Sequence, residues 1–115
     1  KYEDAINLYQ DVLANLPQKK EYDLARAAIL NGIGLAWLGL KDLDKAEIYF
    51  IDSINTYPYI SEAYVNIAEV LMKKENLEKS EQYLILAKKY SYPDVALQKK
   101  IDEVANSLFQ LKNKK

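Results

Sequence analysis

The stretch from Ala27 to Pro58, AAILNGIGLAWLGLKDLDKAEIYFIDSINTYP, carries two apolar stripes of helical spacing separated by a short polar turn. Leu30, Ile33 and Trp37 are three, four and seven residues apart and share one helical face. Ala46, Phe50, Ile54 and Tyr57 repeat that pattern after the turn. Gly34 costs roughly 1 kcal/mol of helix propensity relative to alanine, so another backbone is expected to approach closely there. Ala46 is small where a partner helix comes near, and Phe50, one turn later, fills the space beyond it. Asp42 is placed to cap the second helix. Pro58 ends that helix, because the residue before a proline avoids the α region. An antiparallel helical hairpin is the expected result.

The flanking segments are worn copies of this hairpin. Tyr64, Ile67, Ala68 and Leu71 fall 34 residues after Leu30, Ile33, Gly34 and Trp37, and Ser80, Leu84 and Ala87 fall 34 after Ala46, Phe50 and Ser53. Upstream, Ala5, Tyr9, Val12 and Pro17 match Ala46, Phe50, Ser53 and Pro58, but at an offset of 41. The seven extra residues lie in KKEYDLARAA and make almost two helical turns. They predict a long helix that starts near Lys20 or Glu21 and runs to about Gly39. In the second copy Ser61 is the expected N-cap, and Asn76 the residue that takes a left-handed turn conformation. Leu97, Ile101, Val104 and Leu108, continued by Leu111, form the stripe of a last helix. Helices are expected at 2–16, 20–40, 43–57, 61–74, 77–90 and 93–112.

The set Leu30, Ile33, Gly34, Trp37, Ala46, Phe50 and Pro58 resembles the tetratricopeptide repeat (TPR), W-x2-L-G-x2-Y then A-x3-F then P. The resemblance implies an all-α fold. This would be an alpha-alpha superhelix, a TPR solenoid of antiparallel helix hairpins with a C-terminal capping helix, in a single domain. Residues 1–17 would be the second helix of a truncated repeat, 20–60 a full repeat with an extended first helix, 61–92 a full repeat, and 93–115 the cap with its polar outer face. The family usually has glycine where Lys41 stands, so Gly39 is expected to make the turn instead. The longer spacing is similar to variants in kinesin light chains and in bacterial peptide-responsive regulators. Lys1 falls in mid-pattern, so the chain reads as a fragment of a longer protein.

Composition removes several function classes. Neither Cys nor His occurs, which takes away thiol nucleophiles, imidazole bases and the usual zinc ligands. No catalytic residue, metal site or cofactor is expected, and the protein is not expected to be an enzyme. Glu62 and Glu69 lie about two turns apart on one helix, with no third group to make them an acid pair of any use. No apolar run reaches ~18 residues, so no membrane span is read, and no secretory pattern is present; a cytoplasmic location is expected. The lysine pairs are interspersed with glutamate, which argues against a nucleic-acid stripe. Charge is uneven: residues 1–70 hold 6 basic and 11 acidic side chains, residues 71–115 hold 10 and 6. Such asymmetry is read first as solvated helix faces, and second as a means of orienting a charged partner or of head-to-tail self-contact. Tyr49 and Tyr83, 34 apart, read as packing residues.

In the family the first helix of each repeat lines a concave face. The resemblance therefore points to Asn31, Leu35 and Leu38, with Ala28, in the central repeat. In the next it points to Glu62, Val65, Asn66, Glu69, Met72 and Lys73. Lys99, Lys100 and Glu103 join from the last helix. The mix suits a peptide in extended or helical form. TPR domains that hold chaperone tails share a basic carboxylate clamp; here Asn66 matches it, but Glu62 stands where a lysine is expected. The expected function is a non-catalytic protein-interaction scaffold that docks a peptide or helix of another protein. Two alternatives stay open. One is a homo-oligomerising module using the apolar face of the first helix (Ile6, Tyr9, Leu13, with Leu16). The other is a peptide-sensing regulatory domain fused to an effector outside the fragment.

Overall fold

A computed structural model describes residues 1–114. Six α-helices follow one another: α1 (Tyr2–Asn15), α2 (Asp23–Gly39), α3 (Leu43–Thr56), α4 (Ser61–Lys73), α5 (Leu77–Lys89) and α6 (Val95–Asn113). No strand occurs among the described residues. The helices group into two compact units, one ending at Ile60 and the other starting at Ser61.

In the first unit α2 packs between α1 and α3. Its three glycines explain how it holds both. A Cβ on Gly34 would lie 2.5 Å from the ring of Phe50, which is fully buried, so α3 seats its largest apolar side chain, and not its backbone, in the space the glycine leaves. Gly32 and Gly39 do the same for α1: their missing side chains are replaced by the rings of Tyr9 and Tyr2. Gly39 therefore does not make the turn, and no glycine in the chain has positive φ. Ile6, Ile33 and Ala36 form the buried centre between α1 and α2, with Leu13, Ile29, Trp37 and Tyr49 around them.

The turn is made by Lys41, at φ 65°. Its amide donates to the Leu38 carbonyl and the next amide, of Asp42, donates back to Trp37, at 2.9 and 3.0 Å. This is the double bond of a Schellman motif, with lysine where glycine is usual. Asp42 then caps α3, accepting from the Lys45 amide at 3.1 Å. The second unit repeats the device 34 residues on. Glu75 has φ 65°, its amide donates to Met72 and that of Asn76 to Leu71. Asn76, expected to hold the left-handed conformation, is the cap of α5 instead, at φ −92°. An aspartate or asparagine is better used as a helix cap than one residue earlier, because its side-chain oxygen satisfies an otherwise unpaired amide.

The long helix expected from Lys20 is shorter. A single 3₁₀ turn, Lys20–Tyr22, precedes α2, which starts at Asp23 and has 17 residues against 13 in α4. Arg26 ties this entry down, donating to the Pro17 carbonyl at 2.6 Å and pairing with Asp23 at 3.3 Å. The inserted residues thus give one extra helical turn and one tighter turn.

Each hairpin is closed by a buried hydroxyl. Ser53 on α3 donates to the Ala27 carbonyl at 2.7 Å, and Ser61 on α4 donates to the Ala87 carbonyl at 2.6 Å. Ser53 and Ala87 occupy equivalent repeat positions, as do Ala27 and Ser61. The same contact is made in both units with donor and acceptor helices exchanged. Ser61 is thereby spent on this cross-helix bond, not on the N-cap expected of it. A second bond in the same unit runs from Ser80 to the Ala68 carbonyl at 2.7 Å. Ser80 stands where α3 has Ala46.

In the second unit α5 lies against α4, and α6 packs on both. Ile67, Val70, Leu84, Ile101, Val104 and Leu108 are buried. The Tyr64 ring stacks 5.7 Å from Tyr90 and lies 6.3 Å from Tyr83. Asp94 caps α6 through the Leu97 amide at 2.9 Å, after a cis Tyr92–Pro93 peptide.

Candidate partner-binding surface

The residues singled out for partner binding divide by burial. On α2, Leu35 is 44% exposed and Ala28 is exposed, Leu38 is half-buried, and Asn31 is nearly covered at 9%. Helical spacing puts Leu35 and Leu38 within one turn of each other, so they make a short apolar strip at the surface of the first unit. Asn31 contributes little surface to it.

The second unit gives a fuller surface. Along α4, Glu62 and Lys73 are exposed, while Asn66, Glu69 and Met72 are half-buried. Val65 is 2% exposed and belongs to the core. Repeat position alone counts it among the lining residues, but a residue one place from Asn66 on a helix points about 100° away from it, here into the packed side. Glu69 reaches α6 and pairs with Lys100 at 3.6 Å. Lys100, one of the three last-helix candidates, therefore stands beside Glu69. Both groups keep contact with water, so the pair orients side chains more than it stabilises the fold.

Beyond that pair lies a pocket of about 420 Å³ lined by Met72, Lys73, Glu75, Leu77, Leu111 and Lys114. Three apolar side chains form its walls, and two lysines and one glutamate stand around them. Met72 and Lys73 are legible as candidates in the sequence. Leu111 and Lys114 are not, because nothing in the periodicity of α6 says how far along α4 it lies.

The proposed self-association face is largely used inside the first unit. Ile6 is 5% exposed and Leu13 is half-buried, both packed toward α2, and the Tyr9 ring rests on Gly32. The apolar arc of α1 is wider than a single stripe. Its other edge, Leu8 at 63% and Val12 at 43% exposure, is the part left open.

Among the described residues no group of three or more acidic side chains is disposed to hold a metal ion. Among them, too, no helix is long and apolar enough to cross a membrane.

No family model matches the chain, and no curated protein matches it. Solved structures do. One, described as the functional characterisation of Pseudomonas aeruginosa PilF, superposes with a TM-score of 0.64 at 22% identity, over 96% of this chain and 54% of that one. The chain spans about half the length of that structure. PilF contains tetratricopeptide repeats. With the repeat spacing, the glycine–phenylalanine seat and the hairpin turns described above, the likeness gives the fold: an all-α, TPR-like helical repeat.

Proposed function

We propose that this protein is a non-catalytic interaction module that docks a peptide or helix of another protein on the exposed faces of its first helices. The observation that carries this reading is the α4–α6 surface of the second unit. There Asn66, the Glu69–Lys100 pair and the pocket beside Met72 form one polar-to-apolar track. An apolar side chain of the partner enters between Met72, Leu77 and Leu111. A carboxylate next to it meets Lys73 and Lys114. A few well-placed charges around an apolar cleft are what peptide recognition requires. No reaction is part of the proposal.

The test is a panel of short fluorescent peptides that vary an apolar residue and an adjacent acid, read by anisotropy against the 115-residue chain. Binding should need both features. Met72→Ala with Lys73→Glu should weaken it by about tenfold or more, equivalent to ~1.4 kcal/mol. Leu38→Ala probes the separate strip on α2. Peptides bound equally by the α4 double variant and the unmodified chain would refute the surface. A panel in which no peptide binds would refute the docking function.

A further inference from the structure

We propose that Met72 is an oxidation site that switches off the α4–α6 surface: a peroxide converts its thioether to the sulfoxide, and peptide docking is lost. This rests on the docking function proposed above and adds a control to it.

The chemistry is confined to one side chain. The chain has no cysteine and a single methionine, so no thiol competes for the oxidant and no second thioether shares it. Trp37, the one tryptophan, is half-buried with the Lys45 ammonium 4.3 Å over its ring. In the reaction a sulfur lone pair attacks one oxygen of hydrogen peroxide and the O–O bond breaks. The departing hydroxide takes the proton of the transferred oxygen and leaves as water. Sulfur loses two electrons and peroxide gains them, so no further reactant is required.

Met72 is placed both to react and to matter. It is half-buried near the end of α4, and its side chain walls the 420 Å³ pocket together with Leu77 and Leu111. A thioether on the wall of an open pocket is within reach of a molecule as small as peroxide. Leu38 stands 34 residues earlier, at the same repeat position, and is half-buried too. Partial exposure is therefore a property of this position in both units, and leucine serves it in the first. Leucine has no thioether to oxidise; methionine makes the surface of the second unit sensitive.

Oxidation turns a flexible apolar side chain into a polar one. The new sulfoxide oxygen accepts hydrogen bonds on the wall where the partner's apolar side chain would lie. Lys73 and Lys114 line the same pocket. If the oxygen accepts from either, it occupies an ammonium otherwise open to the partner's carboxylate. If it accepts from neither, docking buries it unpaired, which is costly. Both routes oppose binding. The fold is spared, because the packed side of α4 is carried by Ile67, Val70 and Leu71, all buried.

The test treats the 115-residue chain with hydrogen peroxide and follows oxygen gain at Met72 by peptide mass mapping. Anisotropy then measures a fluorescent peptide that carries one leucine beside one aspartate. Affinity should fall by about tenfold or more in step with the sulfoxide fraction, while the thermal midpoint by circular dichroism stays where it was. Met72→Leu is compared only with itself, and its affinity should be the same before and after peroxide. A sulfoxide form that binds as the reduced chain does, while Lys73→Glu still weakens binding, overturns this inference and leaves the docking surface standing. Loss of binding that Met72→Leu shares, or that comes with a fallen midpoint, also overturns it, since the lesion is then elsewhere or in the fold. So does a Met72 that stays reduced in peroxide that fully oxidises a free methionine peptide. If the reduced chain binds neither this peptide nor any other of the panel, the docking reading fails and this one fails with it.

Discussion

Replacing Gly34 by alanine gives the most direct test of how the first hairpin is held. On an isolated helix this change is favourable by roughly 1 kcal/mol. Here the new methyl would lie 2.5 Å from Cε1, 2.6 Å from Cδ1 and 3.1 Å from Cζ of Phe50. Carbon atoms pack best at about 3.5–4.0 Å, so the ring must retreat by about 1 Å. It has nowhere to go, being fully buried among α2 and α3 side chains. Overpacking of this kind costs typically about 1–3 kcal/mol. The upper part of that range applies to a rigid ring, which leaves a net destabilisation of about 1–2 kcal/mol after the propensity gain. That corresponds to a fall of about 5–10 °C in the melting temperature of a unit this size. Urea titration followed by the fluorescence of Trp37, the single tryptophan, reads the first unit directly. Phe50→Leu supplies the control. It frees space around the introduced methyl, so the double variant should lose less than the sum of the single losses, with a coupling of about 0.5–2 kcal/mol. A Gly34→Ala chain as stable as the parent would show that α2 and α3 are not held at this distance by the glycine, and the seat would have to be abandoned.

Two further outcomes are expected. Lys41→Gly and Glu75→Gly each relieve a non-glycine residue at φ 65°; relief of roughly 1–2 kcal/mol less the entropic cost of glycine should stabilise the chain by about 0.5–1 kcal/mol per site, seen as a rise in thermal midpoint by circular dichroism. Ser53→Ala removes the buried bond to the Ala27 carbonyl and should cost about 1 kcal/mol in the same urea titration, while adding Ala27→Ser should regain much of it, because the exchanged arrangement is the one that joins Ser61 to Ala87.

Much of the fold was readable because it is written in spacing. The six helices, the Asp42 cap and the close approach at Gly34 all follow from periodicity and local side-chain chemistry, which act over a few residues. What misled was composition at the turns. Gly39 and Asn76 are the residues best able to adopt left-handed backbone, yet Lys41 and Glu75 do so. Tertiary demand decided it: Gly39 is needed to admit Tyr2, and Asn76 to cap α5. The candidate surface was legible less completely. Repeat position identified Glu69, Met72 and Lys73, but it also named Val65, whose burial depends on which side of α4 is packed. The same limit applied to α1, where Ile6 and Leu13 belong to an arc with two edges, and only packing shows which edge α2 covers.

The exchanged serine bond bears on how such a chain comes to look unlike other helical repeats. Scored column by column, position 27 against 61 and position 53 against 87 are two mismatches. Scored as a contact, they are one bond written from opposite banks. A helical repeat can drift far in letters while every inter-helix constraint is kept, provided that changes arrive as compensating pairs. Recognition by residue identity fades along that path long before recognition by geometry does. What persists is the joint between helices, and neither residue that makes it need be remembered.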